Sequence, residues 1–427
     1  MSQTATAAAP PPATRAPASA AASAATPQQA PAYVDTPRLL NRWQLIGMSV
    51  AILFGIISAL VQFLSWQADG RAADDTEQLV RVQEIQSSLL RADALATNAF
   101  LLGGLEDPDK RAEYDKAISS VLRLVADAAE AQSADRKALA ALNVEVTEYA
   151  NAVAQARANN RLGYPVGAEY LSGASTELRD DAIPLLNALV KANNNRAEGS
   201  IAGQHPFWLL LLGIVVLVAM VWLNRELARH FRRRINKGVA LAAIIVLVVT
   251  LVTVVLAWAR DSSNDDLLEG DFRAAVTGAQ TRTAANDAKA NESLRLIKRG
   301  TDSQKYEDAW QAAAKKVDAG FARQGATEAW QTYRERHDEI VELDDDGDWE
   351  SAVTLATRTD EKGSTAPLDT VNTDLAATVA DASDTATDEL RSGRLFALLL
   401  SGLTVLLGIG AAVAVARGIG ERRREFS

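Results

Sequence analysis

Four long apolar stretches stand out in an otherwise polar chain. Each holds roughly 20 residues with almost no charge, which is the length that a helix needs to cross the hydrocarbon core of a bilayer. The pattern therefore predicts four transmembrane helices, at residues 43–66, 206–223, 238–259 and 395–416.

Two long polar segments, residues 67–205 and 260–394, separate the first stretch from the second and the third from the fourth. Their apolar residues recur every three or four positions, as at Leu79, Val82 and Ile85, and the alternation typical of strands is absent. Turn signals divide each segment into four such runs. The sequence thus predicts an all-α membrane protein with two antiparallel four-helix bundles, whose first and last helices continue into the membrane.

The two polar segments also resemble each other. Residues 98–115 and 291–308 place leucines, a glycine, a lysine and an aromatic residue at nearly constant spacing, so that Tyr114 matches Tyr306. We interpret the chain as an internal duplication of one span–bundle–span unit. Chance similarity between two alanine-rich helical segments is the alternative.

Basic residues cluster beside the apolar stretches, within residues 38–42, 224–237 and 417–427. Short cationic flanks stay on the cytoplasmic side, so both termini are predicted to be cytoplasmic and both bundles extracytoplasmic. The charge of the bundles agrees, because residues 67–205 carry 14 basic and 21 acidic side chains and residues 260–394 carry 17 and 29. The predicted location is a bacterial plasma membrane, which the chain crosses four times.

The predicted cytoplasmic parts are short. We expect residues 1–42 to be a disordered tail rich in alanine and proline, residues 224–237 a basic link, and residues 417–427 a basic tail. No cleavage site follows the first apolar stretch, so we interpret it as a retained anchor rather than a signal peptide. Since no inner segment has the size of a domain, we expect the output to pass to a cytoplasmic partner.

Sequence patterns of catalysis are missing. The chain has no phosphate-binding loop, zinc-protease or nucleophile-elbow pattern and no cysteine. Its three histidines, His205, His230 and His337, are expected to be ordinary solvated side chains. The acid-rich residues 344–350 lack the last carboxylate of a calcium loop and fit a solvated turn better. We predict no enzyme activity, no cofactor, no metal site and no nucleic-acid partner.

The apolar stretches carry Ser, Thr and Gln but no acid or base at mid-depth, which disfavours a pore or a permease. Small residues in the first and fourth stretches instead favour close packing of membrane helices. These residues are Gly47, Gly55, Ala59, Gly402, Gly408 and Gly410.

Candidate partner-binding residues lie at the predicted membrane-distal turns of the bundles. These charged and aromatic residues are Lys110, Arg111, Arg161, Tyr164, Arg299, Lys305 and Trp349. Arg179 and Arg295 are further cations that can meet a carboxylate. Trp310, Trp330 and Tyr333, by contrast, are expected in the core of the second bundle rather than in a ligand cage.

The basic link is a candidate contact for a cytoplasmic partner or for anionic membrane lipid, and these two roles do not exclude each other. Its cations are Arg229, Arg232, Arg233, Arg234 and Lys237. Pro184 and Pro367 are predicted to fall inside the last helix of each bundle. A proline there bends a helix and acts either as a hinge or as a fixed kink.

The order of span, long helical bundle and span resembles the four-helix-bundle sensor domains of bacterial chemoreceptors and sensor kinases. In its doubled form, residues 43–424 resemble the GlnX-type four-span membrane proteins of high-GC Gram-positive bacteria. This resemblance rests on layout and not on a residue motif, so no binding residue is carried over from it. It implies a relay between a glutamate/aspartate-binding lipoprotein outside and the Ser/Thr protein kinase G inside.

The sequence and the resemblance together predict a non-enzymatic transmembrane sensor or relay. Its expected partners are a solute-binding lipoprotein outside and a cytoplasmic Ser/Thr kinase inside, and its expected signal is an amino-acid nutrient. A membrane scaffold for cell-envelope proteins and a direct small-molecule receptor are the alternatives. A homodimer of the chain is a further arrangement to be tested.

Overall fold

The computed structural model describes residues 36–103, 106–202, 206–231, 235–322 and 327–425. Within these ranges every regular element is helical, and four helices are long and apolar enough to cross a membrane. The predicted all-α membrane fold is therefore confirmed. The expected disordered tail lies outside the described residues up to position 35, and its remaining part, from Thr36 onward, is already helical.

The first half of the chain is dominated by α1, a single helix of 66 residues, Thr36–Leu101. At about 1.5 Å per residue it is roughly 100 Å long, enough to cross a membrane and extend through the whole first bundle. The helices that follow are α2 (Pro108–Ala131), α3 (Arg136–Arg161), α4 (Val166–Glu177), α5 (Ile183–Ile201) and α6 (Pro206–Phe231). A 3₁₀ turn, Ser133–Asp135, precedes α3, and a π-helical turn, Leu178–Ala182, joins α4 to α5.

The second half contains seven helices among the described residues. They are α7 (Lys237–Glu269), α8 (Asp271–Lys298), α9 (Ser303–Phe321), α10 (Glu328–Asp345), α11 (Trp349–Thr357), α12 (Thr365–Arg391) and α13 (Arg394–Glu425). Each half thus contains, in order, a span, the helices of one bundle and a second span. Descent of the two halves from one duplicated unit stays a prediction.

The core of the first bundle, formed by α2 to α5 with the outer part of α1, follows the spacing of apolar residues in the sequence. Val82, Ile85 and Leu89 on α1 are fully buried and pack with Val121 of α2 and Leu142 of α3. Burying such side chains contributes about 1.5–3 kcal/mol each, which offsets the entropy lost on ordering the helices.

The core of the second bundle, formed by α8 to α12, contains larger aromatic side chains. Trp330 and Tyr333 of α10 are fully buried, and Trp310 of α9 is nearly so. Their rings lie between the small residues of α8, such as Ala285, and Leu368 of α12. The expectation that these three aromatic residues belong to the core is confirmed.

The two bundles stand side by side because α1 packs along both α8 and α12. At the membrane-proximal end, apolar residues from both bundles form one shared group, which we call the basal cluster. Its buried members are Ala72, Ala73, Leu79, Ala197, Ile201, Leu267, Phe272, Ala386 and Leu390.

In the membrane region the four spans form a closed ring in the order α1, α6, α7 and α13, and the contact between α13 and α1 closes it. At the crossing of α1 and α13 the two backbones meet at glycines, since a Cβ added to Gly55 would lie 3.0 Å from the Cα of Gly408. Gly402 and Gly410 meet nothing within 4 Å. The expected close contact therefore holds for Gly55 and Gly408 but not for Gly402 and Gly410.

Only α1 joins a span to a bundle without a break among the described residues, which corrects the expectation of continuous first and last helices. Gly270 leaves helical geometry between α7 and α8, and Gly393, with φ +65°, separates α12 from α13. Beyond its span, α6 continues to Phe231, so the first half of the predicted basic link is helical.

Candidate functional site

The predicted tip residues of the first bundle are surface residues. Lys110 and Arg111 occupy the first turn of α2, where their side chains lie 3.2 and 3.1 Å from acids three and four positions further on. Arg161 ends α3 and is exposed, and Tyr164 in the following turn is 56% exposed. Arg161 and Tyr164 are thus the more accessible residues for a protein partner at this end.

In the second bundle, two of the predicted tip residues contact each other. The guanidinium carbon of Arg299 lies 3.5 Å from the ring centroid of Trp349, whose indole N–H donates to the carbonyl oxygen of Leu296 at 2.8 Å. Lys305 lies nearby in sequence, with its ammonium 5.7 Å from the ring of Tyr306. A partner-binding role for the seven tip residues stays a prediction.

A buried ionic contact joins the two bundles in their membrane-distal half. Asp93 of α1 is fully buried and accepts hydrogen bonds from Tyr149 at 3.1 Å, Ser175 at 2.6 Å and Arg179 Nη1 at 2.8 Å. The other edge of the same guanidinium, Nη2, lies 2.8 Å from Asp287 Oδ1 on α8. Arg179 therefore connects the interior of the first bundle with the second bundle, and we call Asp93, Arg179 and Asp287 the bridging triad.

The charges of the bridging triad depend on one another. Burial alone would lower the pKa of Arg179, but Asp93 and Asp287 raise it above its ordinary value, so the guanidinium stays charged. A buried carboxylate without a partner costs several kcal/mol, and the guanidinium of Arg179 offsets this cost for Asp93. The sequence identified Arg179 as a cation that can meet a carboxylate, but its partners belong to the protein itself.

Arg179 lies in the π-helical turn Leu178–Ala182, and Pro184 follows directly. Because proline has no N–H, the carbonyl four residues before it receives no helical bond, and the wider turn accommodates this defect. The backbone N–H of Ile183 bonds instead to the carbonyl of Leu178, five residues back. Pro184 thus lies inside the helical segment formed by α4, the π-helical turn and α5, as predicted.

Pro367 does not lie mid-helix, which corrects the prediction. It is the third residue of α12, which begins at Thr365. An N–H in the first turn of a helix has no partner within that helix, so proline is tolerated there without bending it. Pro367 thus lies at the start of α12, whereas Pro184 adjoins the π-helical turn, and a hinge role for either proline stays a prediction.

His337 is the largest departure from the sequence analysis, which expected a solvated side chain. It is fully buried on α10, and its ring lies parallel to that of Trp310 with the centroids 3.5 Å apart. Its Nδ1 is 3.1 Å from a carboxylate oxygen of Glu292, and its Nε2 is 3.2 Å from one of Glu307. Two carboxylates facing both ring nitrogens favour the doubly protonated imidazolium.

Further polar groups surround Glu292. Lys289 donates to it at 2.6 Å and also to the carbonyl oxygen of Ala356 at 2.7 Å, while the hydroxyl of Ser364 donates to Glu292 at 2.8 Å. The network thereby ties α8 to α9 and α10 through His337, and to the loop before α12 through Ser364. We call Lys289, Glu292, Glu307, His337 and Ser364 the buried polar network.

Neighbouring charges shift the titration of this network. Burial alone would lower the pKa of His337 and raise that of Glu292. The hydrogen bonds to Glu292 and Glu307 instead raise the pKa of His337, and Lys289 together with His337 lowers the pKa of Glu292 to about 2. The folded protein therefore favours the charged forms of His337 and Glu292.

The acid-rich residues 344–350 end α10 and begin α11. The guanidinium of Arg295 lies 3.2 Å from Asp344 Oδ2 and 2.5 Å from Asp345 Oδ1. Across the part of the chain that the structure describes, no group of three or more side chains is arranged to hold a metal ion. These acids thus compensate a buried arginine.

At the end of the spans away from the bundles, Asn236 connects the link to the last span. Its side-chain oxygen accepts from the backbone N–H groups of Gly238 and Val239 and so caps α7, while its amide donates to the carbonyl oxygen of Gly418 at 2.8 Å. Lys237 is exposed beside it, and Arg229 on α6 is 64% exposed. Arg232, Arg233 and Arg234 lie outside the described residues.

The family comparison concerns the first bundle. Residues 68–202 match the family model described as an actinobacterial sensor domain. These limits agree with the segment of α1 to α5 that forms the first bundle. No curated protein and no solved structure matches the chain. A sensor domain beside four helices of membrane-spanning character indicates a multi-pass membrane protein with a sensing role.

Proposed function

We propose that this protein is a non-enzymatic signal relay of the bacterial plasma membrane, with both bundles outside the cell and both termini inside. The observation that carries the proposal is the continuity of α1, which runs from the inner end of a span to the far end of the sensor domain without a break. A stiff helix of this length transmits a displacement at its outer part to its inner part.

A displacement of α1 would reach the second unit through contacts that cover its length. The bridging triad links the two bundles in their membrane-distal half, the basal cluster links them near the membrane, and the Gly55–Gly408 crossing links α1 to α13 within the membrane region. Binding outside can shift this arrangement only by the difference in affinity for its two states, which for a useful switch is a few kcal/mol.

The inner output would be read at the link and at the end of α13, which Asn236 holds together. Arg229 and Lys237 offer exposed positive charge there, which suits an acidic protein surface as well as anionic lipid. We propose a cytoplasmic Ser/Thr kinase as the partner at this surface.

The outer input would be a solute-binding lipoprotein loaded with an amino acid, docked at the membrane-distal end of the first bundle. Arg161 and Tyr164 are exposed at this end, and an exposed aromatic residue beside an arginine is typical of protein interfaces. A direct small-molecule receptor and a scaffold for envelope proteins remain the competing functions.

In-cell crosslinking followed by purification of the full-length protein and mass spectrometry would test the relay. We expect to recover a solute-binding lipoprotein and a Ser/Thr kinase. The variant Tyr164→Ala should reduce recovery of the lipoprotein alone, and Arg229→Glu that of the kinase alone. Val144→Ala, at an exposed position on the side of the first bundle, is the control and should change neither.

Recovery of envelope proteins alone, unaffected by these variants, would replace the relay with a scaffold. A paired measurement separates motion from mere binding. Because the chain has no cysteine, cysteines at Ala59 and Ser401, whose carbonyl and hydroxyl are 3.0 Å apart, report directly on the α1–α13 contact. Their crosslinking rate should change when the loaded lipoprotein is added.

A further inference from the structure

A half-open cavity of about 330 Å³ lies where the spans meet the bundles. Residues from α1, α6, α7, α12 and α13 line it, with Gln62 and Asp69 of α1 among them. Seven helical residues correspond to about 10 Å, so the cavity extends from the outer part of the membrane region toward the bundles. Its volume is at the lower end of the range of small-molecule sites.

Aromatic residues identify the depth of this cavity in the membrane. Phe396 lines it, and Trp208 and Trp258 directly adjoin lining residues in the sequence. These three side chains are 56%, 60% and 65% exposed, so they face outward. Tryptophan and other aromatic residues accumulate at the level of lipid headgroups. The cavity is therefore at the level of the outer-leaflet headgroups and adjoins the surrounding lipid.

The polar part of the lining carries charges of both signs. Arg260 Nε lies 3.2 Å from Asp69 Oδ2, and the carboxylate of Glu389 accepts a hydrogen bond from Ser263. Gln62 is more than nine-tenths buried, and no group among the described residues donates to its side-chain oxygen. Among the described residues of the lining, Asp69 is paired with Arg260, whereas Glu389 is exposed and Gln62 offers an unfilled acceptor.

We propose that the cavity binds the head of one outer-leaflet phospholipid that carries both an ammonium and a phosphate, as phosphatidylethanolamine does. The ammonium donates to the carboxylate of Glu389, and the phosphate lies toward Arg260. The lipid chains lie along Leu256 and Phe396, which are apolar and partly exposed. A purely anionic head meets the exposed carboxylate of Glu389 here and is disfavoured.

Occupancy of this site bears on the junction of the second bundle with its span. Gly393, at the break between α12 and α13, belongs to the lining, and so do residues of α7, the other span of the second half. A bound lipid therefore holds α7 and α13 in one arrangement. The site does not depend on the proposed relay, since a scaffold with this cavity would bind the same lipid.

Native mass spectrometry of the full-length protein, released from nanodiscs of defined composition, would test the site. From discs with equal amounts of phosphatidylethanolamine and phosphatidylglycerol, we expect one tightly retained phosphatidylethanolamine. Ala397→Trp fills the lining of the cavity and should reduce this retention at least tenfold. Leu399→Trp, two residues away, 72% exposed and outside the lining, is the matched control and should leave it unchanged.

Glu389→Gln probes the charge requirement at an exposed position that tolerates substitution. It should remove the preference for phosphatidylethanolamine over phosphatidylglycerol while leaving the protein folded. Equal retention by both tryptophan variants would identify the lipid as ordinary surface lipid and overturn the proposal. Preferential retention of phosphatidylglycerol by the unmodified protein would overturn it as well.

Discussion

Arg179 Nη2 and Asp287 Oδ1 lie 2.8 Å apart across the boundary between the two bundles. The opposite edge of this guanidinium neutralises Asp93 inside the first bundle. Asp93 is fully enclosed, whereas about a quarter of the Asp287 side chain is exposed. The two halves of the bridging triad should therefore respond very differently to substitution.

Arg179→Gln removes the only cation that contacts Asp93 among the hydrogen bonds and ion pairs of the described residues. We expect the free energy of unfolding of the first bundle to fall by about 3–5 kcal/mol, because a buried carboxylate loses its partner. Asp287→Asn should cost less than about 1 kcal/mol, since it removes a partly exposed partner. Hydrogen exchange of α3 and α4 amides in the full-length protein in nanodiscs measures both.

Arg111→Gln provides the control, because Arg111 pairs with an exposed acid on its own helix. It should leave exchange in α3 and α4 unchanged. If Asp287→Asn were as costly as Arg179→Gln, the bridge between the bundles, rather than the neutralisation of Asp93, would dominate the stability of the first bundle.

The buried polar network predicts a pH dependence of the second bundle. The pKa of His337 is raised above 6.5 in the folded protein, so its stabilising contribution is complete below pH 6.5 and is lost as the pH rises through the raised value. The pKa of Glu292 is lowered from 4.5 to about 2, so its contribution is present above pH 4.5 and is lost toward pH 2. The second bundle should be most stable between about pH 4.5 and 6.5.

His337→Gln should abolish the loss of stability on the alkaline side and lower the free energy of unfolding at pH 6 by about 3–5 kcal/mol. Arg334→Gln, on the same helix but in a partly exposed pair with Asp318, should cost less than about 1 kcal/mol and retain the pH dependence. Amide exchange in α8 and α10, corrected for the intrinsic effect of pH, gives these values. An unchanged alkaline slope in His337→Gln would show that another group titrates.

The crossing of α1 and α13 makes a prediction about the membrane region. Gly408→Val places side-chain atoms within about 3 Å of the backbone of Gly55, so the helices must separate. We expect a loss of about 1–3 kcal/mol, typical of overpacking, and a slower disulfide crosslink between cysteines at Ala59 and Ser401. Gly402→Val, on the same helix, meets no atom within 4 Å of its Cβ and should leave the crosslinking rate unchanged.

The spacing of apolar residues is sufficient to predict a helix whose buried residues all lie on one face. Val82, Ile85 and Leu89 repeat with the period of a helix, and all three are core residues. The membrane spans are equally visible, because an uninterrupted apolar run of about 20 residues has the length of a bilayer-crossing helix and exceeds that of most core helices. The family match over residues 68–202 covers the segment of α1 to α5 that forms the first bundle.

Contacts between distant segments cannot be predicted in this way. His337 lies 45 and 30 positions from Glu292 and Glu307, and no local pattern marks three such residues as neighbours. The helix break at Gly270 could not be predicted from the sequence either, because a single glycine is tolerated within a helix. The apolar period continues on both sides of Pro367 and so suggests a mid-helix position, whereas α12 begins only at Thr365.

Pro184 and Pro367 offer a matched test of the hinge. Pro184→Ala restores an N–H next to the π-helical turn, which allows the turn to tighten and draws Arg179 away from its position between Asp93 and Asp287. We expect faster amide exchange in residues 178–184 and a weaker response of the Ala59–Ser401 crosslink to an outer ligand. Pro367→Ala, in the first turn of α12, should leave the crosslink response unchanged. It should alter the free energy of opening measured by amide exchange by no more than about 0.5 kcal/mol, the usual range of substitutions away from special features. If the two variants changed the crosslink response equally, the turn at Leu178–Ala182 would be a fixed kink. A hinge requires this response to depend on Pro184, which adjoins the turn, and not on Pro367.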